Sequence, residues 1–253
     1  MPWTFAHPAA VVPLKRFAPR YLSLPALVCG SLTPDFGYYF NPYKFADNAH
    51  TLAGSFVICI PAGVFLLLLF QLFREPVWFL LPQTHRSVLA PLVARPTDYS
   101  PRALVIAIVS VLIGAWTHIV WDSFTHAGTW FYRAFPSMHR ALFEIGSTPV
   151  YSRDLLQHGS TLIGIAVLAS VYRGWLRKQP RPERSDETDR WRYLLIGGAI
   201  AASGITAMNH AWSATSHGVF KTVVDWTCLF AAVLFVYSLI YYSRRKVTTS
   251  TSR

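Results

Sequence analysis

The stretch His118-Ile-Val-Trp-Asp122-Ser-Phe-Thr-His126 carries the chain's densest set of groups able to bind a cation or move a proton. In a helix, residues four apart share a face, so His118 with Asp122, and Asp122 with His126, each present an imidazole and a carboxylate to one point. His118 and His126 are separated by about 12 Å of helical rise, too far for one ion at ligand distances. The spacing suits one metal held by His118 and Asp122, or two with Asp122 bridging. Two other readings are open here. The same groups can hydrogen-bond loop backbone or snorkel to a membrane interface, or they can relay protons without a metal.

Further candidates lie upstream. Pro34-Asp35 ends a broken apolar segment, and His50-Thr-Leu-Ala-Gly54 opens an apolar run. Asp after Pro is ordinary turn chemistry and Thr or His at a helix start is ordinary capping, so neither speaks alone. His7 is a single histidine near the terminus. Glu144, Asp154 and His158 can supply a general base or a proton donor, and His210 and His217 flank a short loop. No G-x-S-x-G, Walker loop, G-x-G-x-x-G or H-E-x-x-H occurs, which argues against those reaction classes.

The elements that must position these groups are membrane helices. Of 253 residues, 53% are hydrophobic and 14% charged, a composition that points to lipid as solvent. Five runs approach the ~20 residues needed to cross a bilayer: Ala53 to Phe73, Ala103 to Trp121, Ser160 to Leu176, Tyr193 to Trp212 and Val223 to Tyr242. A sixth, Leu22 to Leu32, is interrupted by Pro25 and Gly30 and reads as half-buried or re-entrant. The fold expected is an all-α, polytopic membrane bundle forming one domain over residues 1–253, with a basic cytoplasmic linker at 177–192 and a basic tail at 243–253.

Counting Lys and Arg by loop places fifteen on the side of the tail and eight opposite, which makes the C-terminus cytoplasmic. On that topology His7, His50, His118, His126, His139, His158, His210 and His217 all fall on the other side or at outer span ends, and only His85 is inside. Such a one-sided distribution is expected of groups that converge on one site. The net charge of +11 fits cytoplasmic loops and anionic headgroups. No basic stripe with interleaved aromatics accompanies it, so no nucleic-acid partner is expected. Cys29, Cys59 and Cys228 stand singly in apolar stretches and read as small buried hydrophobes. The first residues, Met1 to Val12, lack the pattern of a signal peptide.

Five motifs, Met1-Pro2-x-Thr4-x-x-His7-Pro8-Ala9-Ala10, Gly30-Ser31-Leu32-Thr33-Pro34-Asp35, His50-Thr51-x-x-Gly54, His118-x-x-x-Asp122-x-x-Thr125-His126-x-Gly128 and Gln157-His158-Gly159-Ser160, span nearly the whole chain. With them it resembles a family of bacterial integral membrane proteins, the domain-of-unknown-function 4184 family. A looser similarity runs to membrane-bound proteins regarded as metal-dependent hydrolases, and beyond them to zinc-dependent phospholipases C and related single-strand nucleases. That resemblance implies zinc ligands at Asp35, His50, His118 and Asp122, in the same chain order. It also shows departures. Those enzymes use a free N-terminal amine and Trp after leader removal, and their remaining His-x-x-x-Glu has no counterpart, because His139 is followed four residues on by Phe143, with Glu144 one residue late. One or two zinc ions, rather than three, are implied.

The expectation is therefore a metal-dependent hydrolase in a bacterial plasma membrane. Its site would open at the non-cytoplasmic boundary, toward a phosphoester or lipid headgroup. Metal ligands are expected among His7, Asp35, His50, His118, Asp122 and His126. Asp122 and His158 are the expected catalytic residues, with His158 behind the ligands or donating a proton. The alternatives are an ion or proton carrier using the same groups, and a membrane scaffold whose histidines are structural.

Overall fold

The computed structural model describes residues 3–40, 43–146, 148–180, 190–212 and 218–250. Most of the expected linker, the end of the basic tail and His217 lie outside these residues. A 3₁₀ turn, Thr4–Ala6, leads into α1 (Pro8–Phe17), and a short helix α2 (Leu24–Leu32) follows. Pro8 and Pro25 fall in first turns, where a missing N–H breaks no helical hydrogen bond. Thr33-Pro34 stops α2, and the chain continues as a 3₁₀ stretch, Pro34–Phe40, and α3 (Tyr43–Ala49).

Next comes a long apolar rod. Thr51 caps α4 (Leu52–Gly54) by accepting from the Gly54 N–H at 2.9 Å. A π-helical turn, Ser55–Cys59, then carries the helix without interruption into α5 (Ile60–Leu80). α6 (Gln83–Val93) precedes α7 (Pro101–Thr125), which Ser100 caps through the Ala103 N–H at 3.2 Å. After α7 the chain makes α8 (Trp130–Ala134), a 3₁₀ turn at Pro136–His139 and an antiparallel hairpin of β1 (Ala141–Ile145) and β2 (Thr148–Tyr151). Three more helices complete it: α9 (Ser152–Leu176), α10 (Arg190–Trp212) and α11 (Gly218–Ser250).

The fold is all-α apart from the one hairpin. Four helical stretches among the described residues are long and apolar enough to cross a membrane: Leu52–Leu80, Pro101–Ala134, Ser152–Leu176 and Thr222–Arg244. Tyr193 to Trp212 is helical within α10, but its described apolar part, Arg192–Met208, is shorter than these four. At about 1.5 Å per residue, the nine residues of α2 rise only about 14 Å, far short of a bilayer.

The chain divides into two compact units, Met1–Leu67 with Asp98–Trp175, and Leu68–Thr97 with Leu176–Arg253. The first holds the buried polar residues treated below. In it α2 lies against α7, with the Ser23 N–H donating to Ser110 Oγ at 2.9 Å, and Trp116 Nε1 donates to Ser55 Oγ at 3.0 Å. The start of the chain is tied to α9, where the Trp3 N–H donates to Thr161 Oγ1 at 2.9 Å. In the second unit α10 packs on α11, with Trp226 Nε1 donating to the Ile200 carbonyl at 3.2 Å. There Arg192 is buried, its Nε donating to the Phe79 carbonyl at 3.2 Å and its guanidinium lying 5.4 Å from the Phe79 ring centre.

Candidate metal centre

Four histidines and two aspartates from five segments meet inside the first unit. α7 supplies His118 and Asp122, one turn apart and both buried, with His118 Nε2 at 3.3 Å from Asp122 Oδ2. The proline that ends α2 turns Asp35 inward to zero exposure, where Oδ1 lies 3.3 Å from His118 Nε2 and 3.6 Å from His50 Nε2. His50, following α3, reaches Asp122 Oδ2 at 3.4 Å. His7, at the head of α1, is stacked on His118 with ring centres 3.6 Å apart, and its Nε2 lies 3.6 Å from Asp122 Oδ1. His126 closes the C-terminal end of α7, with Nδ1 3.6 Å from Asp122 Oδ2 and 3.0 Å from Thr125 Oγ1.

Backbone carbonyls set the ring orientations. His118 Nδ1 lies 2.7 Å from the Ser31 carbonyl and His50 Nδ1 lies 2.8 Å from the Ala46 carbonyl. A carbonyl only accepts, so each Nδ1 carries a proton and donates, which turns each Nε2 toward the aspartates. One oxygen of Asp35 is held in the same manner: Thr4 Oγ1 donates to Oδ2 at 2.6 Å, and the Tyr39 hydroxyl donates to Thr4 Oγ1 at 2.9 Å. Oδ1 is then the oxygen left for the cluster. This backing of His118, His50 and Asp35 by a further hydrogen bond is the arrangement that orients metal ligands.

What faces inward is unsatisfied. His7 Nε2, Asp35 Oδ1, His118 Nε2 and both carboxylate oxygens of Asp122 are buried with no hydrogen-bond partner. Each such group costs about 1–3 kcal/mol when unpaired, and here five converge. One ligand atom each from Asp35, His50, His118 and Asp122 lies within 4.8 Å of the others. Donors at ~2.1 Å around a tetrahedral ion stand about 3.4 Å apart, and the imidazole–carboxylate separations of 3.3 to 3.6 Å match that spacing. Two nitrogens and two carboxylate oxygens therefore form a donor set that can hold a divalent cation.

The electrostatics outside the spanning helices agree. Burial, reinforced by the stacked His118, pulls the His7 imidazole down to about 3, so it is neutral at pH 7. Burial pushes the Asp35 carboxyl up, but His118 beside it outweighs burial and holds the group below its usual range, as a carboxylate.

The other sequence candidates sit elsewhere. His158 is exposed on α9; among the described residues it makes no ion pair with the cluster. The face of α9 that turns inward carries Thr161 and Gly164, which meet Trp3 and Ala6, and at about 100° per residue His158 stands about 60° from the first and about 120° from the second around the helix. Asp154 accepts from the Tyr151 N–H at 2.9 Å at the head of α9, and Glu144 is exposed on β1. The side chains of His139 and His210 lie outside the described residues, and His85 belongs to α6 in the second unit. Thr4, Tyr39 and the carbonyls of Ser31 and Ala46 had not been singled out. Thr4 and Ser31 left a trace, as members of the opening motif and of the one that ends in Asp35.

A family model for a domain of unknown function, DUF4184, matches residues 1–243. No curated protein and no solved structure matches the chain.

Proposed function

Because the chain belongs to the DUF4184 family, whose description assigns no chemistry, function has to be read from the site, and we propose that this is a membrane-embedded, metal-dependent hydrolase of phosphoesters. One observation carries the reading: Asp35, His50, His118 and Asp122 bring one ligand atom each to within 4.8 Å of the others, and those of Asp35, His118 and Asp122 are buried with no hydrogen-bond partner. A purely structural polar cluster would satisfy its members among themselves. Asp35, His50, His118 and Asp122 would hold the ion, with zinc a fitting occupant because it takes imidazole nitrogen and carboxylate oxygen in four-coordinate sites. His7 and His126, both beside Asp122, are the ligands a second ion would take.

A divalent cation bound there supplies positive charge that polarises a phosphoryl oxygen and makes water more acidic. The chain's own groups do the rest. Asp122 spreads its two oxygens between His7 on one side and His118, His50 and His126 on the other, so Oδ1 is placed to take a proton from attacking water. The water oxygen bonds to phosphorus, the bond from phosphorus to the leaving oxygen breaks, and the proton ends on the leaving alcohol. Thr4 and Tyr39 keep Asp35 from rotating. The side chains of His50 and His126, 21% and 29% exposed, form the open edge by which substrate arrives. The cation itself would favour an anionic substrate, and a lipid headgroup at the non-cytoplasmic boundary of a plasma membrane, with the basic tail facing the cytoplasm, is the fitting source.

The test is elemental analysis of the detergent-purified protein together with turnover of a chromogenic phosphodiester, before and after chelation. Roughly one or two zinc ions per chain, with turnover lost to chelator and restored by zinc, is the expected result. A metal-free protein overturns both metal and hydrolysis. A zinc-loaded protein that cleaves neither phosphomonoesters nor phosphodiesters overturns the hydrolase reading, and cation or proton flux from that protein in proteoliposomes would establish a carrier instead.

A further inference from the structure

Beside the cluster, the first unit contains an apolar pocket of about 820 Å³ whose lining includes Trp121, Thr125, Leu142, Leu155, Leu156 and Ser160. Its walls are the last turn of α7, the first turns of α9 and the excursion between them, so it lies where two membrane-crossing helices end. The aromatic residues Trp121, Trp130 and Phe131 gather there, as they do at the boundary between hydrocarbon and headgroups. Leu142, Leu155 and Leu156 are 54%, 50% and 46% exposed, so the apolar wall opens to the outside of the bundle.

The pocket adjoins the cluster. Trp121, Ser160 and Ile163 also line a smaller cavity of about 180 Å³ that reaches His7. On another side Thr125 is shared, its Oγ1 lying 3.0 Å from His126 Nδ1 and 3.4 Å from the Asp122 carbonyl. One hydroxyl on the wall, Ser152 Oγ, is buried without a hydrogen-bond partner, so the pocket offers a polar anchor among its leucines. Water is poorly held in an apolar space of this kind, and leaving it empty forfeits dispersion contacts along its whole lining. The apolar matter that a bilayer presents at such an opening is an acyl chain.

We infer that this pocket seats one acyl chain of a membrane lipid, whose phosphate-bearing head then lies along the Asp122–His126 edge of the cluster. This names the substrate class as a membrane amphiphile, and it rests on the hydrolytic reading above for the role of the head. Gly159 offers a clean way to block the seat. Gly159 lines the pocket and a β-carbon there meets nothing within 4 Å, so the backbone accepts a side chain and Gly159→Phe puts a ring at the pocket wall. It also replaces glycine by a better helix former.

The probe is a phosphatidylcholine with a diazirine at the end of one chain, photolysed in nanodiscs containing the full-length protein. Because bulk lipid competes for the seat, the expected excess of cross-links at 138–142 and 155–163, over the lipid-exposed positions Phe65, Leu68 and Leu72 of α5, is about fivefold. In Gly159→Phe that excess falls to the α5 level while α5 labelling is unchanged. Even labelling of both regions in the wild type overturns the inference, as does an excess untouched by Gly159→Phe. Enriched labelling in a protein with no phosphoesterase activity leaves the chain seat standing and removes the hydrolytic reading. Turnover of soluble phosphoesters with even labelling does the reverse.

Discussion

A β-carbon on Gly30 would fall 2.1 Å from the carbonyl oxygen of Val111, so α2 and α7 touch backbone to backbone at this point. Gly114 makes the matching approach one turn on, 2.3 Å from the Leu27 carbonyl oxygen by the same measure. These contacts set how far Asp35, just beyond α2, stands from His118 and Asp122 on α7. Gly114→Ala is expected to push the helices apart at a cost of about 1–3 kcal/mol. It should lower the metal load although it touches no ligand, as elemental analysis beside a thermal melt in detergent would read.

Asp122 is the one residue that every histidine of the cluster approaches. Asp122→Asn keeps its shape and removes its charge, so bound zinc should fall below about a tenth of the wild-type load. Undiminished zinc in that variant would place the ion elsewhere.

Thr4 never faces the proposed ion, yet it holds Asp35 Oδ2. Thr4→Val is isosteric and removes the hydroxyl that donates to Asp35 and accepts from Tyr39, so metal affinity should weaken about 10–100-fold. Tyr39→Phe, one bond further back, should have a smaller effect in the same competition titration with a zinc indicator.

Zinc that binds the folded chain and not the unfolded one stabilises it by about 2.7 kcal/mol at a hundred times the dissociation constant. Chelation should therefore lower the melting midpoint of the wild-type protein by about 5 °C or more. Asp122→Asn should melt at one temperature with or without chelator.

His158 gives a contrast. Exposed on α9, away from the cluster, it should be replaceable by alanine with the zinc load intact. Loss of zinc in His158→Ala would show that α9 presents a different face to the site.

Asp35, His50, His118 and Asp122 were legible in the sequence because charged and imidazole groups are costly in or beside apolar helices, and because a four-residue spacing puts two of them on one face. The long apolar runs announced α5, α7, α9 and α11 on the same physical ground. The groups that orient the ligands were not legible. The carbonyls of Ser31 and Ala46 are backbone atoms, so no residue type encodes them, and the Thr4–Asp35 bond joins positions that only the fold brings together. The hairpin after α8 escaped notice because its strands are short and their register shifts between Ala141 and Phe143. The placing of His158 was not legible either, because its direction depends on which side of α9 meets Trp3 and Ala6.

The donors at 7, 35 and 50 leave the ribosome well before those at 118 and 122, and the first three have nothing to close around until α7 has been made. Capture of the ion is then a late event in biogenesis, delayed until α7 has come to rest beside α2. A nascent chain halted before residue 118 would emerge as an apo-form, with Asp35 beside no imidazole of α7 and dependent on quality control rather than on metal for its fate.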